Sequence, residues 1–495
     1  TLREVVNRWP DHLPGHYHLG VALFEADDPD AAARSFRLVA ERDRNNLKAL
    51  IGLGRALTAA NDPDGASQAF RNAIRLAPND PGPKALYGNL LRRLGRFDAA
   101  QTAFEDALKQ RPDDLEALIG QAELKRAKGQ IGGGLEILQP LLAQPSPPPK
   151  SLLAGARLLL ASGDAEVAVG RIENWLEQTD LPPGIQAVLQ SVRGQALDRL
   201  GRFDEAWQAW MESHRGEAKR FDGSHFATAI DTLQATYTSE LFTRLRREPG
   251  AMRPRPLLIV GSPRSGKSIL EQMLACHPDV VGGGELRQLG AMTETISTLT
   301  GGQQLYPACV KNLSRADFDQ LGDDYAGKLK SIAKDTEWLI DTQPTNFLHI
   351  GLAALVVPAV RVIICRRDPV DTAWACYSRC FADRGLAFAS TPEGIRLYLD
   401  GMDRIMNHWA ESIPMEILEI QYEELVREPR QMVERVLGFI SLEWDDACSE
   451  YAIPGRANLR SAPVLREPVD DREIGRGRPY QDYFANPEIS RPSTA

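Results

Sequence analysis

The chain has 495 residues, 43% of them hydrophobic, and a net charge of −9. That is an ordinary globular composition, too long for one core, so two or three domains are expected. The acidic balance does not suggest a nucleic-acid binder, and no apolar run approaches the ~20 residues that span a bilayer, so neither nucleic acid nor membrane is an expected partner. All six cysteines lie between Cys276 and Cys448, without a CxxC pair. Cys376 and Cys380 stand one helical turn apart, a spacing that suits neither zinc nor a redox motif. Buried thiols in a reducing, cytoplasmic compartment are expected, and no metal site. The first residue is Thr1, so the natural start is expected to be missing, which leaves room for a targeting segment before it.

The first half is periodic. Gly20, Gly54 and Gly88 recur every 34 residues, as do Phe36, Phe70 and Phe104, and Ala32, Ala66 and Ala100; Pro78 and Pro112 close two units. This is the tetratricopeptide spacing: two antiparallel helices per unit, small residues where helices touch and an aromatic in the gap. The segment 119–142 keeps the length of a pair, although Gly132, Gly133 and Gly134 weaken its second helix. The segment 145–149 is a turn and 152–176 another pair. Residues 200–206 (LGRFDEA) then repeat residues 94–100 (LGRFDAA). Trp207 and Trp210 are expected to pack this last unit onto the next part of the chain. The array is expected over 1–215, a helical connector over 216–252 and a second domain over 253–495. His12, His16 and His18 read as surface residues near a frayed end. Stacked pairs present a concave face suited to a peptide or protein partner; dimerising or stiffening the chain is the alternative use.

The second half alternates strands and helices. Strands are expected at 257–260, 338–341, 360–365 and 415–420. Helices are expected from Lys267, and at 286–299, 315–333, 346–357 with a stop at Pro358, and 370–384. That order predicts a parallel sheet with helices on both faces, so the whole chain reads as an α-solenoid followed by an α/β domain. Ligands in such sheets sit at the carboxyl ends of strands, where Gly261, Asp341 and Arg367 fall. Residues 261–266 (GSPRSG) join the first strand to a helix starting at Lys267. Backbone N–H groups, a helix dipole and the charges of Arg264 and Lys267 make an anion cradle. Gly261 to Ser268 also fits the nucleotide-triphosphate P-loop pattern.

Four ordered segments carry a resemblance: residues 257–286, 341–377, 422–429 and 465–480. Together they resemble the sulfotransferase domain found fused to tetratricopeptide arrays in bacteria, and they are similar to tyrosylprotein sulfotransferases. The resemblance implies the sulfuryl donor 3′-phosphoadenosine 5′-phosphosulfate (PAPS) and no metal. It assigns Ser262, Pro263, Arg264, Ser265, Gly266, Lys267 and Ser268 to the 5′-phosphosulfate, and Arg367 to the 3′-phosphate. An ion pair of Arg367 with Asp368 or Asp371 is the alternative. Arg379 and Tyr422 fall where the family holds an arginine and an aromatic near adenine. Arg476 and Arg478 match a loop that closes over the cofactor. Glu285 takes the general-base position, with a helix-capping glutamate as the alternative. Arg264 and Lys267 would stabilise charge during transfer.

Three positions depart from the family: Lys267-Ser268 where Thr-Thr is usual, Thr342 where a catalytic lysine stands, and Ala375 where a serine bonds the 3′-phosphate. Lys267 is the expected substitute for the missing lysine. The implied function is sulfuryl transfer to a hydroxyl, with a tyrosine in a peptide or protein as acceptor. Two readings stay open beside it: a P-loop kinase or NTPase using Asp341 near magnesium, and a degenerate domain serving as a binding platform.

Overall fold

The computed structural model describes residues 1–26, 28–178, 180–215, 221–245, 252–302, 304–333, 336–357, 360–379, 384–413, 415–453, 455–460, 465 and 467–485. Cys380, the stop at Pro358, and the stretches 216–220, 246–251, 380–383 and 461–464 lie outside them. By internal contact the chain forms two compact units, one over Thr1–Gly216 and one over Glu217–Arg379 with Gly385–Ala495. Among the described residues no helix is long and apolar enough to cross a membrane.

The first unit is tetratricopeptide architecture. After a short helix, Leu2–Arg8, helix pairs run from Leu13–Glu25 and Pro29–Arg42 to Pro183–Arg199 and Phe203–His214. The 34-residue period carries helix starts as well as packing. Asn46, Asp80 and Asp114 each cap a first helix, and Asp28 and Asp62 cap second helices, their side chains accepting N–H bonds from the first turn. The expected aromatic plugs are in place: a methyl on Gly54 would lie 2.6 Å from the Phe70 ring, and one on Gly88 2.7 Å from the Phe104 ring. Real Cβ atoms do not come so close, so Gly88→Ala is expected to cost about 1–3 kcal/mol of stability through overpacking. Chemical denaturation checks this, and an unchanged midpoint would show that the ring has room to move.

Two features of the array add to its sequence pattern. Helix Ile131–Leu142 forms in full across the three glycines, and buried Gly134 packs against Leu158 and the Ala122 carbonyl, so this glycine is a close-packing requirement. Trp210 turns back onto its own pair, its Nε1 donating to the Ser191 carbonyl at 3.3 Å with Gly194 beneath the ring.

The second unit is built on a five-stranded parallel sheet. Its strands are β1 (Arg255–Val260), β2 (Val280–Gly282), β3 (Trp338–Asp341), β4 (Arg361–Arg366) and β5 (Ile417–Gln421), in the spatial order β2-β3-β1-β4-β5. β2 is absent from the sequence reading: three residues between two turns are too short for a periodicity signal. Leu257, Ile259, Ile340 and Ile363 share one core cluster with the helices Lys267–Leu274 and Pro429–Phe439. The expected helix at 346–357 is a 3-10 turn, Pro344–Leu348, followed by helix Ile350–Val356. The connector helices Gly223–Thr236 and Ser239–Leu245 fall within this second unit. Phe226 stacks on Tyr398 at 5.3 Å between centroids, and Asp231 pairs with Arg404 at 2.6 Å. Cys276, Cys309, Cys365, Cys376 and Cys448 are buried free thiols.

Candidate active site

All five strands deliver site residues at their carboxyl ends. The β1 loop is shaped by two glycines in the positive-φ region, Gly261 (φ 149°) and Gly266 (φ 93°), with Arg264 held at φ 69° between them. A side chain on Gly261 would strike the Cys365 carbonyl of β4, and one on Gly266 would meet the Tyr422 ring at 2.9 Å, so only glycine fits. A non-glycine residue at positive φ stores strain of a kind found at ligand-binding loops. The loop closes on itself: Ser265 Oγ donates to the Ser262 carbonyl at 2.8 Å, and Lys267 Nζ to the carbonyls of Gly261 and Ser262 at 2.9 and 2.8 Å. The Lys267 ammonium thus braces the loop from inside, and burial lowers its pKa to about 8. No side chain caps the following helix, and the N–H groups of Gly266, Lys267 and Ser268 find no backbone partner among the described residues. Helix-start N–H groups without such partners are a feature that suits an anion. Arg264 is exposed at the surface, yet desolvation of its guanidinium, then the like charges of Arg379 and Arg367, lowers its pKa to about 10, so three guanidiniums share one neighbourhood. Ser268 is exposed and Pro263 is buried.

The β2 loop places Glu285 with its side chain exposed and its backbone pinned on both sides. The Gly284 N–H donates to Glu271 Oε1 at 2.7 Å, and the Leu286 N–H donates to Asp341 Oδ1 at 3.1 Å. Gly283 N–H bonds the Ile340 carbonyl at 3.0 Å, and Thr342 N–H bonds the Gly284 carbonyl at 2.9 Å, tying the loop to β3. Thr342 Oγ1 donates to Glu271 Oε2 at 3.3 Å. Arg287 holds the N-cap position of helix Gln288–Leu299, and Glu285 precedes that cap, so it is not the capping residue. Asp341 spends Oδ1 on Leu286 and Gln343, and its Oδ2 is buried without a hydrogen-bond partner. Sequence reasoning did not single out Glu271. The signal was a charged residue on the buried face of an apolar helix, 3% exposed.

Burial raises both the Glu271 and the Asp341 carboxyl to about 7. A folded pKa above the ordinary carboxylate value favours the protonated folded form. The stability that results is complete below the ordinary value and is lost as pH climbs through about 7. Glu271→Gln keeps an acceptor for the Gly284 N–H and cannot ionise. It is therefore expected to lose less stability than the parent between about pH 5 and about pH 8 in denaturant titrations. Equal losses would show that Glu271 does not titrate in that window.

Arg367, just after β4, makes no ion pair with Asp368 or Asp371. Its Nη1 donates to the Arg264 carbonyl at 3.1 Å, its Nη2 to the Glu473 carbonyl at 2.8 Å, and its plane covers the Tyr422 ring at 4.4 Å. Its Nε is buried without a partner. Asp368 instead caps the next helix through the N–H groups of Val370 and Asp371. Asp371 reaches the C-terminal loop, accepting from Gly475 and Gly477 N–H at 2.6 and 2.7 Å. Asp371 thereby anchors the two-arginine segment, where Arg476 lies over Trp374 at 5.3 Å and Arg478 is exposed. Ala375 is buried in the helix Pro369–Tyr377. A cavity of about 850 Å³ touches Ser262, Arg367, Asp371 and Arg478 and does not reach Glu285.

Fold and site together define a two-part protein: a helical repeat array, then an α/β domain with a glycine-bounded loop between its first strand and the following helix. Residues 256–446 match the sulfotransferase family, and residues 2–90, 81–124 and 187–212 match tetratricopeptide repeat models. The chain joins tetratricopeptide repeats to a sulfotransferase-family domain. It is 24% identical over 322 residues to an uncharacterized protein of Aquifex aeolicus, covering 63% of this chain and 42% of that one. It is 24% identical over 202 residues to protein-tyrosine sulfotransferase 1 of Danio rerio, covering 39% of this chain and 55% of that one. The chain thus spans about half the length of these relatives. Among solved structures, the sulfotransferase domain of the Synechococcus PCC 7002 olefin synthase aligns at 20% identity and TM-score 0.33, covering 49% of this chain and 98% of that domain. A tetratricopeptide repeat protein of Parabacteroides merdae aligns at 16% identity and TM-score 0.38, covering 43% of this chain and 82% of that one.

Proposed function

We propose that the chain is a PAPS-dependent sulfotransferase, active in the cytoplasm, that sulfates a hydroxyl, with a tyrosine of a peptide or protein held by the repeat array as acceptor. The observation that carries this reading is the pinned Glu285 loop. Two buried carboxyl groups hold the N–H groups on either side of Glu285, an exposed residue at the carboxyl end of the sheet. A positioned carboxylate of this kind accepts a proton from an attacking hydroxyl. The N–H groups at the helix start, with Arg264, suit the phosphosulfate, and Arg367 with its unpartnered Nε suits a phosphate. When bound, PAPS supplies the sulfuryl group. The acceptor oxygen forms a bond to sulfur, the sulfur–oxygen bond to the phosphate breaks, and the acceptor proton passes to Glu285. Arg264 stabilises charge on the departing phosphate, and Lys267 holds the loop that presents the N–H groups. Tyr422, packed between Gly266 and Arg367, fixes the position of that guanidinium.

The test is transfer of labelled sulfate from PAPS to a library of tyrosine peptides. A sulfated peptide with release of adenosine 3′,5′-bisphosphate is expected. No product with any peptide, sugar or phenol pool would contradict an enzymatic role and favour the binding-platform reading.

A further inference from the structure

The first helices of successive repeats line a groove of about 520 Å³ in the array. The 34-residue period turns sequence spacing into rows along this groove. Arg55, Asn89, Glu123 and Arg157 form one row; Thr58, Arg92 and Arg126, three residues further on in each repeat, form the next. With Arg93 and Lys150, the lining holds six cations against two carboxylates, Glu116 and Glu123. Both carboxylates are already engaged. Glu123, 5% exposed, pairs with Arg126 at 2.8 Å and Arg157 at 3.3 Å. Glu116 pairs with Lys150 at 3.1 Å. The remaining arginines are crowded by like charge. Burial lowers the pKa of Arg92; Glu123 opposes this, and the like charges of Arg126, Arg93 and Arg157 add to it. Arg92 Nε is buried without a hydrogen-bond partner. Arg55 is exposed and lies over the Phe24 ring at 5.2 Å. A chain with net charge −9 thus concentrates positive charge in one groove, with Leu90, Ile119 and Leu153 as an apolar floor. That combination fits a polypeptide carrying carboxylates: the arginine forks bond them bidentately, and the floor receives the intervening side chains.

We propose that this groove docks an acidic peptide segment of the partner polypeptide, through Arg55, Arg92 and Arg93, on residues distinct from those of the candidate active site. This deepens the proposed function, because it rests on the array delivering the acceptor. The test uses the full chain and a fluorescein-labelled peptide of about ten residues, rich in glutamate and lacking tyrosine, read by anisotropy at low and high salt. Binding at low salt that weakens at high salt is expected. Arg55→Glu with Arg93→Glu changes two exposed side chains and should weaken binding at least tenfold with an unchanged melting curve. Arg264→Ala should leave it unaltered. No binding at low salt, equal binding by the double variant, or loss in Arg264→Ala alone would each overturn the proposal. So would tighter binding of a single-stranded RNA than of the peptide. Sulfate transfer to a short neutral tyrosine peptide separates the two readings: the double variant should keep it. If neither protein shows transfer while acidic-peptide binding follows the arginines, the enzymatic reading fails and the docking site stands.

Discussion

Glu285→Gln is expected to lower turnover about 10²–10⁴-fold, the usual contribution of a general base, with little change in nucleotide affinity. The amide is nearly isosteric with the carboxylate, so the loop should keep its shape. That shape depends on the backbone bonds from Gly284 and Leu286 to Glu271 and Asp341, which do not involve the Glu285 side chain. A loss confined to turnover therefore reports proton transfer, whereas a loss of affinity would report a collapsed loop. Steady-state kinetics with saturating PAPS distinguishes them. Unchanged turnover would remove Glu285 from the base role.

The second large effect is expected at Arg367. Arg367→Ala should weaken binding of adenosine 3′,5′-bisphosphate by about 30-fold to several thousand-fold, the range for truncating one partner of a buried charge pair. Besides its unpartnered Nε, this guanidinium has two bonds in use, to the Arg264 carbonyl of one loop and the Glu473 carbonyl of another. Its removal frees both segments from their shared brace. Arg367→Lys should restore little, because an ammonium cannot bond both carbonyls in the plane of the fork or cover Tyr422 in the same way. Calorimetry on the three proteins checks this. Equal affinity in Arg367→Ala would show that the 3′-phosphate is held elsewhere.

Much of the architecture was legible because it is written as a period. The glycine–aromatic contacts Gly54–Phe70 and Gly88–Phe104 repeat 34 residues apart, and the caps Asn46, Asp80 and Asp114 keep the same count. The central strands were readable as apolar runs bounded by turns. The three-residue strand Val280–Gly282 was not, since its place in the sheet comes from pairing with β3. Near the site, sequence could locate Glu285 but not what holds it. The partners Glu271 and Asp341 lie 14 residues before it and 56 after it, and only the fold brings them together. Lys267 shows the same limit. Its place in the loop was evident, yet its ammonium turns inward to the carbonyls of Gly261 and Ser262. As a substitute for the lysine absent at Thr342 it would have to leave those bonds, and Lys267→Ala should therefore loosen the loop as well as slow transfer.

In the proposed function, the loop after β1 and Arg367 accept the two phosphates of a PAPS-type nucleotide. Calorimetric titration of the full chain with adenosine 3′,5′-bisphosphate, set against magnesium-ATP, tests it most directly. Saturable bisphosphate binding without magnesium, lost in the Arg264→Ala, Arg367→Ala double variant, is the predicted result. Tight magnesium-dependent ATP binding with no binding of the bisphosphate would contradict it and favour a kinase or NTPase.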